Sequence, residues 1–211
     1  MPTFPKLVAF RLTSKCINDC PYCYGPDHNI KDLTLKQLKD LFAFLKTNKV
    51  DAVLLTGGEP LLRNDFKEIV RELKKNNFKI FLDTCGYNFD KYKSVIFKDI
   101  DVLGLPLDFH NKSYRQHDNV LKILKYFKNK KVRPVVRVGT VVTKDNFKNL
   151  KEIYKTLLDY QVDIWKIYQF LPLNHNAVEN KVSLNIPMKK FNAAIKNLDQ
   201  VIGGGLQGIG L

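Results

Sequence analysis

The sequence predicts an α/β protein built on a single parallel sheet. Two observations support this class: strand-like and helix-like patterns alternate along most of the chain, and the connections between them are short. Six such strand-then-helix steps are typical of one parallel sheet with right-handed crossovers and helices on its outside. Hydrophobic periodicity alone does not distinguish a doubly wound sheet from a fragment of a barrel.

The predicted strands are short, largely apolar runs, as expected of strands that are buried on both faces of a parallel sheet. The fifth run is rich in β-branched residues, which favour extended structure. The six runs are residues 7–12, 53–55, 79–84, 101–106, 135–142 and 164–170.

The segments between these strands carry apolar residues at helical spacing. Thr34 is placed to cap the first helix and to form a capping box with Gln37. Asp145 or Asn146 is expected to cap the fifth helix.

After residue 170 the pattern changes, and we predict a core at 1–170 with an extension at 171–211 that is not a separate domain. Residues 174–185 are polar and are predicted to form a loop, and Pro187 is placed to begin a C-terminal helix. The last nine residues, 203–211, contain five glycines, which predicts a flexible tail.

Composition places the chain among globular proteins, because its length suits one domain and 45% of its residues are hydrophobic. No apolar run approaches the length of a membrane span, and the N-terminus lacks a secretory pattern. We therefore expect a cytoplasmic protein with no membrane partner.

The formal net charge of +14 raises nucleic acid as a partner. Lysine supplies nearly all of the positive charge, and the lysines recur through every helical segment. That distribution fits the solvated faces of helices as well as a phosphate-binding track, so nucleic acid stays an alternative.

Three cysteines, Cys16, Cys20 and Cys23, lie within eight residues directly after the first predicted strand. Thiolates at this spacing suit a soft centre such as zinc, copper(I) or an iron–sulfur cluster. A structural zinc site or an electron-transfer cluster uses four protein ligands, whereas three leave a coordination position open for chemistry. A zinc loop completed by His28 or Cys85 remains an alternative, and a disulfide framework is less favoured.

A second motif, Gly57-Gly58-Glu59-Pro60, follows the second predicted strand. Glycine lets the backbone turn tightly and approach a ligand closely, and proline fixes the exit from the turn. Glu59 then stands at a strand end as an acceptor for an ammonium group. Taken alone, this motif is an ordinary strand-to-helix turn.

Together, the two motifs resemble those of the radical S-adenosylmethionine (SAM) superfamily. The resemblance implies an open, TIM-like partial (β/α)6 barrel over most of the chain. It also implies that Cys16, Cys20 and Cys23 hold a [4Fe-4S] cluster whose open iron binds SAM. The reduced cluster cleaves SAM to a 5′-deoxyadenosyl radical, which takes a hydrogen atom from the substrate.

The resemblance further implies which residues hold SAM: the motif with Glu59 binds the methionyl amino group, and the ends of the fifth and sixth strands meet the ribose and adenine. The implied cofactor-binding residues are Tyr22, Gly57, Gly58, Glu59, Arg137, Thr140, Asn146, Tyr168 and Gln169. One departure is visible, because many relatives have asparagine directly after the first cysteine, where this chain has Ile17.

Cys85 and Asp108 are candidates for a catalytic or substrate-binding role, because both follow predicted strands and sites of parallel folds lie at strand carboxyl ends. For Cys85 the favoured explanation is a small buried residue, and Asp108 is equally well explained as the cap of a turn. With four cysteines in the chain, an auxiliary cysteine-bound cluster is not expected.

Four functions stay open at this point. The first is a radical enzyme acting on a small molecule or nucleotide, and the second is an activase that installs a glycyl radical in a partner protein. The third is an RNA-modifying radical enzyme, and the fourth is a non-catalytic zinc or electron-transfer module. A radical enzyme also implies an external reductant of the ferredoxin or flavodoxin type, for which the basic surface is suited.

Overall fold

Six strands form one parallel sheet in a computed structural model that describes residues 6–23, 25, 30–108 and 117–202. The strands are β1 (Leu7–Thr13), β2 (Ala52–Gly57), β3 (Lys79–Asp83), β4 (Val102–Pro106), β5 (Val135–Val142) and β6 (Ile164–Gln169). They follow one another across the sheet in chain order. The predicted α/β class with a parallel sheet is confirmed.

Helices alternate with the strands, as the periodicity predicts. They are α1 (Leu35–Thr47), α2 (Phe66–Lys75), α3 (Phe89–Asp99), α4 (His117–Phe127), α5 (Leu150–Asp159), α6 (His175–Glu179), α7 (Lys181–Leu184) and α8 (Met188–Ile202). A short 3₁₀ turn at Pro60–Leu62 follows β2. Among the described helices, none combines the length and the apolar character that crossing a bilayer demands.

The chain divides into two compact units. The first contains Met1–Ile17, Gly25–Gly104 and Lys130–Val136, and the second contains Asn18–Tyr24, Leu105–Asn129 and Arg137–Leu211. In the first unit the core lies between the inward faces of β2 and β3 and of α1 and α2, with Phe42, Leu55, Ile69 and Leu82 fully buried. In the second unit the core is formed by α4, β5, α5 and α8, with Val120, Val138, Ile153 and Phe191 buried. The predicted boundary at residue 170 stays a prediction.

The predicted N-terminal caps of two helices, α1 and α5, have different outcomes. The capping box of α1 is confirmed: the Gln37 N–H donates to Thr34 Oγ1 at 3.3 Å, and the Thr34 N–H donates to Gln37 Oε1 at 2.9 Å. The predicted cap of the fifth helix is wrong, because α5 begins only at Leu150 and Asn149 is its N-cap. The Asn146 side chain is instead buried and bonded elsewhere, as described below.

The predicted loop at residues 174–185 is also corrected, because this stretch forms the short helices α6 and α7. Two apolar residues in this stretch, Ala177 and Leu184, are buried with Phe170. This burial stabilises two helices that the polar sequence does not predict. The predicted C-terminal helix is confirmed as α8, which buries Phe191, Ile195 and Leu198. The glycine-rich tail at 203–211 lies outside the described residues.

Candidate functional site

In the first unit, the Gly57-Gly58-Glu59 turn is joined by its backbone to the residues that precede Cys16. The Gly58 N–H donates to the Thr13 carbonyl oxygen at 2.8 Å, and the Glu59 N–H donates to the Lys15 carbonyl oxygen at 2.8 Å. Strand pairing shifts register here, from Arg11 opposite Thr56 to Thr13 opposite Gly57. The turn of the second motif is therefore hydrogen-bonded to the backbone directly before Cys16.

This close approach explains both glycines. Gly57 has a φ of +140°, a conformation that side chains other than glycine rarely adopt. A Cβ atom on Gly57 would overlap the Thr13 carbonyl oxygen, and a Cβ atom on Gly58 would overlap the Lys15 carbonyl oxygen. No larger residue fits either position without moving the chain beside Cys16.

Glu59 is almost completely buried, with 1% of its surface exposed. Its Oε1 accepts hydrogen bonds from the Leu61 N–H at 3.0 Å and from Thr84 Oγ1 at 2.6 Å, and its Oε2 accepts one from the Cys85 N–H at 2.8 Å. Burial raises the pKa of Glu59, and the hydrogen bonds from Cys85, Thr84 and Leu61 act in the opposite direction. The hydrogen bonds thus hold the carboxylate in one orientation, although burial of its charged form is unfavourable in free energy.

Cys85 is a free thiol at the end of β3 and is partly exposed. Burial raises the pKa of the Cys85 thiol far above its ordinary range, and the neighbouring Glu59 carboxylate raises that pKa further. Metal ligation and nucleophilic attack both require the thiolate. The surroundings of Cys85 therefore favour a neutral thiol, and its role in catalysis stays a prediction.

Arg63, which the sequence interpretation assigned no role, holds the end of β1 in place. Its Nη1 donates to the carbonyl oxygens of Leu12 and Leu33, each at 2.9 Å. Its Nε and Nη2 form a bidentate pair with Asp65 at 2.8 and 2.7 Å, a geometry that arginine provides and lysine does not. Arginine is scarce in this chain and lysine is common, and this contrast is the sequence feature that could have singled out Arg63.

In the second unit, residues 18–23, which we call the cysteine segment, are held in place by burial. The Cys23 N–H donates to the Cys20 carbonyl oxygen at 3.0 Å, which closes a tight turn around Tyr22. Cys20 and Tyr22 are buried in a cluster with Phe170 and Leu184, and Cys23 packs against it. The end of β6 and the short helix α7 therefore support the last two thiols.

Asp108 is buried and is hydrogen-bonded within the second unit. Its Oδ1 accepts from the Val141 N–H at 2.7 Å, and its Oδ2 accepts from the Tyr22 hydroxyl at 3.2 Å. Its carbonyl oxygen accepts from Asn146 Nδ2 at 3.0 Å. These contacts make Asp108 a link between the cysteine segment and β5, whether or not it also reaches a substrate.

The two buried candidates on and after β5 belong to the same network. Thr140 Oγ1 donates to the Leu107 carbonyl oxygen at 2.7 Å and accepts from Trp165 Nε1 at 2.9 Å. Asn146 accepts from the Thr143 N–H at 2.9 Å and donates to the Val141 carbonyl oxygen at 2.8 Å. Hydrogen bonding within the protein thus occupies both side chains.

The remaining strand candidates lie on different faces. Side chains alternate along a strand, so Arg137 and Thr140 lie on opposite faces of β5, and Tyr168 and Gln169 lie on opposite faces of β6. Tyr168 is 39% exposed and lies beside Gly139. Gln169 donates from Nε2 to the Ile186 carbonyl oxygen at 3.0 Å, and its buried Oε1 has no hydrogen-bond partner in the part of the chain that the structure describes.

The three motif cysteines are not joined in disulfides within the described chain, and Cys16 lies in the first unit while Cys20 and Cys23 lie in the second. Across residues 6–23, 25, 30–108 and 117–202, no three His, Cys, Asp or Glu side chains are assembled as a preformed metal site. His28, the alternative zinc ligand, lies outside the described residues. The cysteines fit an iron–sulfur cluster by donor type, since soft thiolates are the ligands such clusters take.

Comparison with known proteins agrees with what the two sequence motifs indicate. The sequence profile of the Radical SAM superfamily matches residues 10–157. An S-adenosylmethionine-dependent nucleotide dehydratase of Selenomonas ruminantium is 30% identical over 82% of this chain and 69% of its own length. A Methanocaldococcus jannaschii protein named for glycyl-radical enzyme activation is 30% identical over 76% of this chain and 61% of its own.

A solved structure shares the fold. Streptococcus suis SuiB bound to S-adenosylmethionine superposes with a TM-score of 0.76 at 18% identity, over 95% of this chain and 49% of SuiB. The chain thus spans about half the length of this structural neighbour and about two thirds of the two sequence relatives.

Proposed function

The chain belongs to the radical SAM superfamily, and on this basis we propose that it binds one [4Fe-4S] cluster and SAM through the residues described above. Members of this superfamily are enzymes that use both groups and that need a reductant. When bound, the cluster supplies the electron that cleaves SAM to a 5′-deoxyadenosyl radical, which takes hydrogen from the substrate.

We assign the cluster to Cys16, Cys20 and Cys23. Three thiolates leave one iron without a protein ligand, which is the open position that SAM requires. Packing of Cys20 and Tyr22 against Phe170 shields that part of the segment from water. The raised pKa of Cys85 supports its exclusion from the ligand set.

We assign the amino group of SAM to Glu59, and this buried carboxylate is the observation that carries the proposal. A buried carboxylate is costly unless a cation compensates it. None of the described lysines or arginines forms an ion pair with Glu59, whose described partners are three neutral hydrogen-bond donors. An ammonium group from a ligand would complete this arrangement.

For the adenine we favour Gln169 over Tyr168. The unpartnered Gln169 Oε1 is a buried acceptor, and such an atom is costly unless it receives a donor. The exocyclic amino group of adenine is a donor of the required kind. Tyr22, Arg137, Thr140 and Asn146 remain proposed contacts of the nucleoside, in the case of Thr140 and Asn146 through the backbone that they position.

For the substrate, a small molecule of the nucleotide class is supported by the dehydratase relative. Glycyl-radical activation is the second candidate, and it is supported by the relative named for that activity at the same identity. We propose a reductant of the ferredoxin or flavodoxin type for either reaction.

The first experiment measures SAM cleavage without a substrate. We expect anaerobic reconstitution with iron and sulfide to give an iron–sulfur chromophore, and dithionite with SAM to give 5′-deoxyadenosine, quantified by chromatography. Cys20→Ala should abolish both signals because two thiolates remain. Cys85→Ala is the matched control and should retain the chromophore and its iron content.

The result that would overturn the proposal is tightly bound zinc, with neither chromophore nor 5′-deoxyadenosine. Once cleavage is established, the two substrates are separated by adding ribonucleoside triphosphates in one series and a glycyl-radical enzyme in another. The first should increase 5′-deoxyadenosine release. The second should produce a protein glycyl radical, detected by electron paramagnetic resonance, together with one 5′-deoxyadenosine for each radical formed.

A further inference from the structure

We propose that Thr84, directly after β3, is a positioning residue that orients the Glu59 carboxylate so that an ammonium group binds at Oε2. The inference rests on the proposed function and adds a residue to it, since neither of the two motifs includes Thr84. All of the contacts involved lie within the first unit.

The hydroxyl of Thr84 has a defined direction. Thr84 Oγ1 accepts a hydrogen bond from the Gly86 N–H at 3.0 Å, and it donates to Glu59 Oε1 at 2.6 Å. The Thr84 N–H donates in turn to the Gly104 carbonyl oxygen of β4 at 3.1 Å, and the side chain is buried. The Thr84 N–H bond to Gly104 holds the residue in place, and Oγ1 already accepts a hydrogen bond from the Gly86 N–H. The hydroxyl proton therefore points at the Glu59 carboxylate.

The two carboxylate oxygens of Glu59 accept different numbers of hydrogen bonds. Oε1 receives two donors, the Thr84 hydroxyl and the Leu61 N–H, whereas Oε2 receives the Cys85 N–H. An ionised carboxylate offers about four acceptor positions, two on each oxygen. The remaining capacity is therefore at Oε2.

The Cys85 thiol lies near this carboxylate, which raises the pKa of the thiol. A thiol is a weak donor, whereas an ammonium group forms a strong, charge-assisted hydrogen bond. An ammonium group at Oε2 would therefore bind this carboxylate in preference to the thiol and leave the Thr84 hydroxyl in place on Oε1. Thr84 is the one side-chain O–H donor among the described partners of Glu59, so a substitution there tests the orientation directly.

The test measures binding without turnover. Reconstituted wild type, Thr84→Val and Thr84→Ser are compared by equilibrium dialysis against labelled SAM and against 5′-methylthioadenosine, which lacks the amino-acid part. A hydrogen bond to a charged group is strong enough that its loss should weaken SAM binding about tenfold or more in Thr84→Val. Thr84→Ser restores the hydroxyl and should bind SAM within about threefold of wild type. Binding of 5′-methylthioadenosine should be equal in all three proteins.

Iron content and the thermal midpoint are measured on each variant to show that the loaded protein is intact. Equal SAM affinity in wild type and Thr84→Val would overturn the role of Thr84 while leaving the proposed function standing. Equal loss of SAM and 5′-methylthioadenosine, or failure of Thr84→Ser to restore SAM binding, would also overturn it, because the defect would then be general. Failure of the wild type itself to bind SAM would instead overturn the proposed function.

Discussion

Gly58 is the residue of the turn that lies against the backbone of Lys15, directly before Cys16. We expect Gly58→Ala to lower the free energy of unfolding by about 2–4 kcal/mol, because the added Cβ would overlap the backbone of Lys15 rather than a flexible side chain. Urea denaturation of the protein without its cluster measures this cost.

Gly139→Ala is the matched control for Gly58→Ala. Its Cβ would lie 3.4 Å from the ring of Tyr168, a side chain that can move. We expect its cost to be about 1 kcal/mol or less. A Gly58→Ala variant as stable as Gly139→Ala would show that the turn shifts freely, which contradicts the close packing beside Cys16.

The Tyr22–Asp108 hydrogen bond gives a second prediction for single residues. Tyr22→Phe should lower the free energy of unfolding by about 1–2 kcal/mol, because it removes a buried hydrogen bond to a charged group. In an Asp108→Ala background the same change should cost nothing further, so a double-mutant cycle gives a coupling of about 1 kcal/mol or more.

The same cycle distinguishes a structural role of Asp108, through its bond to Tyr22, from a role in substrate binding alone. If Asp108 served only to contact a substrate, Asp108→Ala would alter turnover and leave the stability unchanged. A coupling energy near zero would show that the bond to Tyr22 contributes nothing to the cysteine segment.

Among the elements, α1 depends most clearly on local sequence, because its capping box involves only Thr34 and Gln37. Thr34→Ala removes the side-chain acceptor and should lower the free energy of unfolding by about 1 kcal/mol. The measurement is the shift of the thermal or urea midpoint.

Thr47→Ala provides the control at the other end of α1. Thr47 Oγ1 donates to the Ala43 carbonyl oxygen at 3.0 Å on an exposed surface. Since alanine has the higher helix propensity, we expect no loss of stability there. Equal effects at both positions would mean that the capping box does not stabilise α1.

The elements whose starts were predicted wrongly depend on distant partners. The Asn146 side chain bonds to the backbone at Asp108, 38 positions away, and is therefore not available to cap α5. The helices α6 and α7 form where Ala177 and Leu184 are buried against Phe170, so packing rather than local propensity decides them.

For the whole molecule, the net charge of +14 predicts salt-dependent reduction by an acidic electron-transfer protein. We expect the second-order rate constant of cluster reduction by flavodoxin to fall about tenfold or more between low and physiological ionic strength, because salt screens long-range attraction. Stopped-flow absorbance of the cluster measures that rate.

Photochemical reduction by a small uncharged deazaflavin is the control for the salt experiment, and its rate should change little. An equally flat salt profile for flavodoxin would contradict electrostatic docking. It would leave the lysines as solvated helix surface, which is the other explanation of the charge.

The sequence by itself determined the alternation of strands and helices, the class of the fold and the motifs of the superfamily. These follow from local information: apolar periodicity is set over a few residues, and each motif is contiguous. The sequence also located the side chains of interest at strand ends, including Glu59, Cys85 and Asp108.

Only the tertiary structure decided what those side chains contact. Glu59 meets Thr84 across 25 positions and Tyr22 meets Asp108 across 86, and Arg63 reaches back 51 positions to the end of β1. The hydrogen-bond partners of a buried polar group are chosen by the packing of distant segments, because any nearby donor can satisfy it. No periodicity or motif encodes those partners, which explains why the contacts of Thr84 and Arg63 were found only in the folded chain.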